Sequence, residues 1–234
     1  MELLAAVGLS LVGSGGGVLL ASPLLLLRRS ARLQIVPDLI SYAVGTLLGV
    51  ALLKLVPEAL ESLQAPAALG ALLAGILTFF MLEKLVLWRH CHTADCDAHE
   101  TSATLILIGG GLHNFTDGAI IGAAVLTSLP LGLTTAVAVA AHQIPQEVGD
   151  FAILLDAGYS RSRAFVLNAV SASTCVLGAS AVYIATGTAP GALPYVLAFA
   201  AGSFLYVAMS DLIPGLLREA VDVGAVRQVV MIGL

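Results

Sequence analysis

Two short stretches hold most of the chemistry in this sequence. "HNFTDG" (113–118) sets His113 and Asp117 four residues apart with Asn114 beside them, and "HQIPQEVGD" (142–150) supplies His142, Gln143, Gln146, Glu147 and Asp150. On a helix, residues i and i+4 share a face. His113 then pairs with Asp117, His142 with Gln146, Gln143 with Glu147, and Gln146 with Asp150. Two imidazoles, two carboxylates and nearby amide oxygens form a mixed nitrogen and oxygen donor set. Such a set suits a borderline divalent ion such as Zn²⁺, Fe²⁺ or Mn²⁺, and it lacks the thiolates that Cu(I) prefers. Pro145 removes a backbone donor and frees a carbonyl near Ala141, as a ligand or a kink.

The elements that must position these groups are membrane helices. The chain has 234 residues, 59% hydrophobic and 11% charged, with a mean hydropathy of +0.99. A soluble domain is about one-quarter charged, so the bilayer must serve as solvent here. The net charge is −5, and the ten cationic residues lie mostly between apolar blocks, too few for a nucleic-acid surface. Three cysteines suggest no disulfide framework, and Cys175 lies in an apolar block. The first block lacks the basic start of a signal peptide and is taken as a membrane helix.

Seven blocks reach the roughly 20 residues needed to span: Leu3–Leu27, Pro37–Leu60, Pro66–Trp88, Ser102–Thr127, Leu131–Ala157, Ser162–Thr186 and Ala192–Leu217. An eighth begins near Ala225 and stops at Leu234, too short to span. Nothing resembles the alternating strands of a membrane barrel. The expectation is a single all-α transmembrane domain, 1–234, with eight helices, the last truncated.

Arg28, Arg29, Arg32, Arg89, Arg161, Arg163, Arg218 and Arg227 fall in or beside alternate loops, and the loops between carry no Lys or Arg. By the positive-inside rule the N-terminus faces outward and the loop after the third helix faces the cytosol, in a plasma (inner) membrane. His113 is eleven residues past Ser102 and His142 eleven past Leu131. At 1.5 Å per residue each lies about 16–17 Å deep, near the bilayer centre. A short connection makes the fourth and fifth helices antiparallel neighbours, so the two clusters can meet. Single Asn, Gln or His residues at that depth serve equally well as packing links between helices. Ionised groups there are costly unless paired, and His113, Asp117, His142 and Glu147 together point to a functional site.

The chain also repeats itself. "GTLLGVALLKLVPEAL" (45–60) aligns without gaps to "GSFLYVAMSDLIPGLL" (202–217). These segments end the second and seventh helices, which cross in opposite directions. Helices one to three would then be mirrored by six to eight, an inverted repeat of the kind found in alternating-access transporters. Chance similarity between two Leu/Ala-rich helices is the alternative, but the shared polar-Leu-(Val/Ile)-Pro ending, "KLVP" and "DLIP", favours the repeat.

With these motifs in place, the sequence resembles the ZIP family of divalent metal transporters, closest to its His-rich eukaryotic-type branch and bacterial relatives. "HNFTDG", "HQIPQEVGDFAILLDAGYSRSRAF" (142–165), "FFMLEKLVLWRHCH" (79–92) and "FLYVAMSDLIP" (204–214) carry the resemblance over nearly the whole chain. It implies an eight-helix fold with inverted repeats and a metal site between helices four and five, often with two metal positions. It also implies an elevator-like motion of helices one, four, five and six, and a homodimer. Carried over by motif, the metal positions are His113, Asn114, Asp117, Gln143 and Gln146, with His142 and Glu147 beside them.

Three residues depart from the family pattern. Gln143 stands where an acid is usual, Gln146 where His or Glu is expected, and Lys54 where a His is expected before "LVPEAL". All three remove ligands or negative charge, which suggests one bound metal instead of two. Two readings of Lys54 stand side by side. It partly fills the second position as a tethered cation paired with Glu58 or a site carboxylate, or it snorkels towards the membrane surface. In the repeat it aligns with Asp211.

The loop "RHCHTADCDAHE" (89–100) offers His90, Cys91, His92, Asp95, Cys96, Asp97, His99 and Glu100 without the regular spacing of a structural zinc site. It reads as a weak, dynamic metal trap, or as a solvated loop whose ligands are incidental. The five glycines Gly8, Gly13, Gly15, Gly16 and Gly17 permit close helix approach. Asn168 and Ser171 share a face that borders the site or cross-links helices. Glu83 and Lys84 read as structural, and Asp156 as an exit residue or a solvated helix end. The function expected is transport of a divalent metal, zinc ahead of iron or manganese, towards the cytosol. The metal is substrate, not cofactor. The alternatives are an intramembrane zinc hydrolase with Glu147 as base, and a metal sensor that does not transport.

Overall fold

The computed structural model describes residues 1–24, 29–90, 98–217 and 223–233. Eight helices account for nearly all of it, and no strand occurs among the described residues. Helix α1 covers 2–24, as Glu2–Ser10, a wide π turn at Leu11–Gly15, and Gly16–Leu24. Helix α2 covers 29–62, as Arg29–Val50, a π turn at Ala51–Leu55, and Val56–Ser62. Then come α3 (Ala65–His90), α4 (Ala98–Thr127), α5 (Leu129–Asp156) and α6 (Arg161–Thr188). Helix α7 covers 193–217, as Leu193–Tyr206, a π turn at Val207–Leu212, and Ile213–Leu217. Helix α8 is the short Val223–Ile232.

Five helices are long and apolar enough to cross a membrane by length and composition: α1, α2, α3, α6 and α7. Helices α4 and α5 are as long, but "HNFTD" and "HQIPQE" lower their mean hydropathy. Their polar side chains Asn114, Asp117, His142, Gln143 and Glu147 are buried within the bundle. The helices pack in two sets, α1, α4, α5 and α6 in one, and α2, α3, α7 and α8 in the other. The sets meet chiefly where α2 lies on α5, with smaller contacts of α4 with α3 and α7. An apolar core runs across this junction, through Leu47, Leu55, Ile120, Ile121, Val139 and Phe204.

Helix α2 begins eight residues before the expected Pro37. Pro37 marks where the apolar span starts, but helical bonding extends beyond it into the polar segment. Pro37 lies inside the helix, and its carbonyl accepts a bond from Ser41 Oγ at 2.8 Å. Pro145 likewise lies inside α5, which continues through it.

The repeat is visible in the backbone. The π turn of α2, Ala51–Leu55, aligns with residues 208–212, inside the π turn of α7. The paired glycines also correspond. A side chain on Gly45 would strike the backbone of Ile232 in α8, and one on the aligned Gly202 would strike Leu72 in α3. The α2–α8 and α7–α3 contacts are therefore counterparts. In α1 only Gly13 and Gly17 serve close approach, against Ile121 and Gln143; Gly8, Gly15 and Gly16 face open space.

Candidate metal centre

Helix α4 is fixed by small residues on the face away from α5. Gly118 and Gly122 lie against Cys175 and Ala179 of α6, and Gly178 of α6 lies against Phe115. Thr174 Oγ1 donates to the Gly111 carbonyl at 2.6 Å, and Ser171 Oγ to the Leu107 carbonyl at 3.4 Å. Ser171 therefore cross-links helices. With α4 held this way, His113, Asn114 and Asp117 meet α5.

His113 and His142 bring their Nε2 atoms to 3.1 Å. Asp117 Oδ2 lies 3.4 Å from His113 Nε2 and 3.2 Å from His142 Nε2. His142 Nδ1 faces the Ala138 carbonyl at 3.1 Å, which fixes the ring and leaves Nε2 for the cluster. Gln143 Nε2 donates to Asp117 Oδ2 at 3.0 Å and to Asn114 Oδ1 at 2.5 Å. Asn114 Nδ2 in turn donates to the Gly110 carbonyl at 2.8 Å. Asn114, Asp117, His142, Gln143 and Glu147 are all buried. Each amide thus orients its neighbour, and Asp117 accepts bonds at the centre.

The opposite set of helices closes one side with aromatic rings. Phe79 of α3 lies edge-on to His113, centroids 5.8 Å apart, and Phe204 of α7 lies similarly against His142 at 6.1 Å. A cleft of about 420 Å³ opens from the two histidines. Gly109, Gly110, Gln146 and Asp150 line it on one side, and Phe79, Glu83, Tyr206 and Val207 on the other. Gly109 and Gly110 lie towards the N-terminal end of α4, Gln146 and Asp150 towards the C-terminal end of α5, and Glu83 towards the C-terminal end of α3. The cleft therefore leads towards the end of the bundle where α3 ends and α4 begins.

The sequence-derived candidates fall in different places. His113, Asn114, Asp117, His142 and Gln143 converge. Gln146 and Asp150 line the cleft beyond them. Glu147 is buried one turn beyond Gln143 on α5 and does not line the cleft; its Oε2, Gln143 Oε1 and Asn168 Nδ2 have no hydrogen-bond partner among the described residues. Lys54 is exposed and Glu58 half-buried, and no ion pair within 4.0 Å joins Lys54 to a carboxylate among the described residues. Asp211 lies in the α7 π turn, at the position aligned with Lys54. Cys91, His92, Asp95, Cys96 and Asp97 lie outside the described residues; His90 ends α3, and His99 and Glu100 lie in the first turn of α4. Sequence reasoning missed the wall: Phe79, Glu83, Phe204 and Tyr206. Their only signal was membership of the motif segments 79–92 and 204–214.

The three atoms His113 Nε2, His142 Nε2 and Asp117 Oδ2 belong to a group whose ligand atoms lie within 4.8 Å of one another. Ligands about 2.0–2.1 Å from a tetrahedral zinc stand roughly 3.3 Å apart. The three measured separations straddle that value.

A polar cluster of this kind, buried within long apolar helices, defines a polytopic helical membrane protein with a polar centre at the inner end of a cleft. Comparison with known proteins narrows the class. A family model described as ZIP Zinc transporter matches residues 88–232. Zinc transporter ZIP13 of Pongo abelii is 38% identical over 210 residues, covering 83% of this chain and 62% of the relative. Zinc transporter YKE4 of Saccharomyces cerevisiae is 30% identical over 220 residues, covering 81% and 64%. Human Zinc transporter ZIP4 is 44% identical over 114 residues, covering 49% and 18%. The chain belongs to the ZIP zinc transporter family. It spans less than two thirds of the length of these relatives.

Proposed function

We propose that the chain carries a divalent transition metal, zinc first, across a membrane towards the cytosol. The ion is held by His113, His142 and Asp117 between α4 and α5. The observation that carries this reading is the near-equilateral triangle of donor atoms at 3.1, 3.2 and 3.4 Å, which fits one face of a tetrahedral zinc. A fourth corner remains for water or a ligand from the cleft, so release needs no dismantling of a closed shell.

Direction rests on the arginine distribution. With the N-terminus outside, the cleft opens to the cytosol, and Leu47, Ile121, Val139 and Phe204 belong to the core between the two helix sets. Alternating access would then move α1, α4, α5 and α6 against α2, α3, α7 and α8, the two sets already seen in the packing. The inverted repeat supports such an exchange. A plasma-membrane location and a homodimer complete the reading. The 89–100 loop acts as a dispensable metal trap.

The hydrolase reading asks Glu147 to activate a metal-bound water. Glu147 is buried and does not line the cleft that opens from the histidines, which favours transport over that reading. The deciding experiment is uptake of Zn²⁺, Fe²⁺ or Mn²⁺ into proteoliposomes, with His113→Ala as control. Uptake abolished by His113→Ala is expected. Tight binding with no uptake of any of the three would instead leave a sensor.

A further inference from the structure

Sequence alone gives Glu83 a structural place in α3, yet the structure sets it at the mouth of the cleft. It follows Phe79 by one helical turn, about 6 Å along the axis, and Phe79 is the ring that meets His113. Counting from Ala65, Glu83 lies about 27 Å along α3, near the far edge of a hydrocarbon core roughly 30 Å thick. Across the cleft, Gln146 and Asp150 continue the α5 stripe that starts at His142. Polar groups thus border the route from the histidines to the mouth on both walls.

The surroundings of Glu83 leave its charge available. Tyr206 donates its hydroxyl to Glu83 Oε2, and an O–H donor fixes a carboxylate without neutralising it. Lys84, the next residue, lies 5.6 Å over the Phe80 ring. Among the described residues no cationic group lies within 4.0 Å of Glu83. Tyr206 stands immediately before the α7 π turn, and Val207 and Leu212 of that turn also line the cleft.

We propose that Glu83 belongs to the cation path: its carboxylate, oriented by Tyr206, receives a divalent ion leaving the His113, His142 and Asp117 cluster past Gln146 and Asp150. The inference rests on the transport reading. It places a charged step on the helix set that does not carry the cluster, so the ion changes walls as it leaves. A carboxylate with one oxygen held by Tyr206 still offers lone pairs to the ion, and a single such ligand binds weakly enough to release it.

The test compares initial rates of Zn²⁺ uptake over a range of concentrations for wild type, Glu83→Gln, Glu83→Asp and Tyr206→Phe in proteoliposomes. Zinc bound per chain in detergent is measured in parallel. Glutamine keeps the bond to Tyr206 and loses the charge. The proposal expects Glu83→Gln to lower the maximal rate several-fold with unchanged zinc stoichiometry. Glu83→Asp recovers much of the rate, and Tyr206→Phe loses less than Glu83→Gln. Glu83→Gln at the wild-type rate overturns it. So does a loss in Tyr206→Phe equal to that in Glu83→Gln with a matching fall in thermal stability, because the pair would then only tie α3 to α7. Failure of the wild type to transport is a separate outcome that removes the transport reading and this inference with it.

Discussion

Gly45 and Gly202 occupy equivalent places in two halves of one bundle: each lets its helix press against the backbone of another, Ile232 for Gly45 and Leu72 for Gly202. The correspondence predicts equivalent sensitivity. Valine at either position forces backbone apart, and overpacking of this kind costs about 1–3 kcal/mol. Gly45→Val and Gly202→Val should each lower the melting temperature in detergent. Gly49→Ala, at a position where a side chain meets nothing within 4 Å, should not. Stability of both valine variants equal to wild type would contradict the packing described.

How much of this was legible beforehand follows from what each feature depends on. The spans were legible because lipid exposure demands apolar side chains along a whole helix, and α5 and α6 end within two residues of expectation. The meeting of the two polar motifs was legible because i,i+4 spacing fixes a face and loop length fixes depth. The π turns were not, since one extra residue per turn leaves no mark in residue type. The start of α2 was misplaced because apolarity reports the bilayer and not the hydrogen bonding. The roles of the amides were also hidden. Sequence makes Asn114 and Gln143 ligand candidates, but it does not show that Gln143 Nε2 bonds to both Asn114 and Asp117.

Asp117 sits where both imidazoles and the Gln143 amide converge. Asp117→Asn keeps the shape and removes the negative charge. Affinity for Zn²⁺, measured by isothermal titration, should fall at least about tenfold, since even outer partners of a metal ligand are worth that much. Uptake should fall with it. Unchanged affinity would exclude Asp117 as a ligand.

Lys54 offers a test that separates its two readings. The side chain is exposed, and the prediction follows the reading in which it serves the membrane surface. Lys54→His should leave both zinc stoichiometry and affinity unchanged. A second bound zinc per chain would restore the tethered-cation reading, because removing the ammonium would then have opened a second position.

Gln143 is the residue whose replacement should change the character of the site most. Its amide nitrogen lies 3.0 Å from Asp117 Oδ2, a donor facing a carboxylate, and this removes the repulsion that two acids would feel. Gln143→Glu puts a second carboxylate there. Without metal the two acids repel, and the protein should be less stable. With Zn²⁺ bound, the added charge should tighten binding roughly tenfold, a change of about 1.4 kcal/mol. Tighter binding at an intramembrane site slows release, so the maximal uptake rate should fall while the concentration for half-maximal uptake also falls. Calorimetry in detergent and uptake in proteoliposomes read the two effects separately. If affinity and rate both rise, release is not limited by charge at this position, and the glutamine has no part in setting turnover.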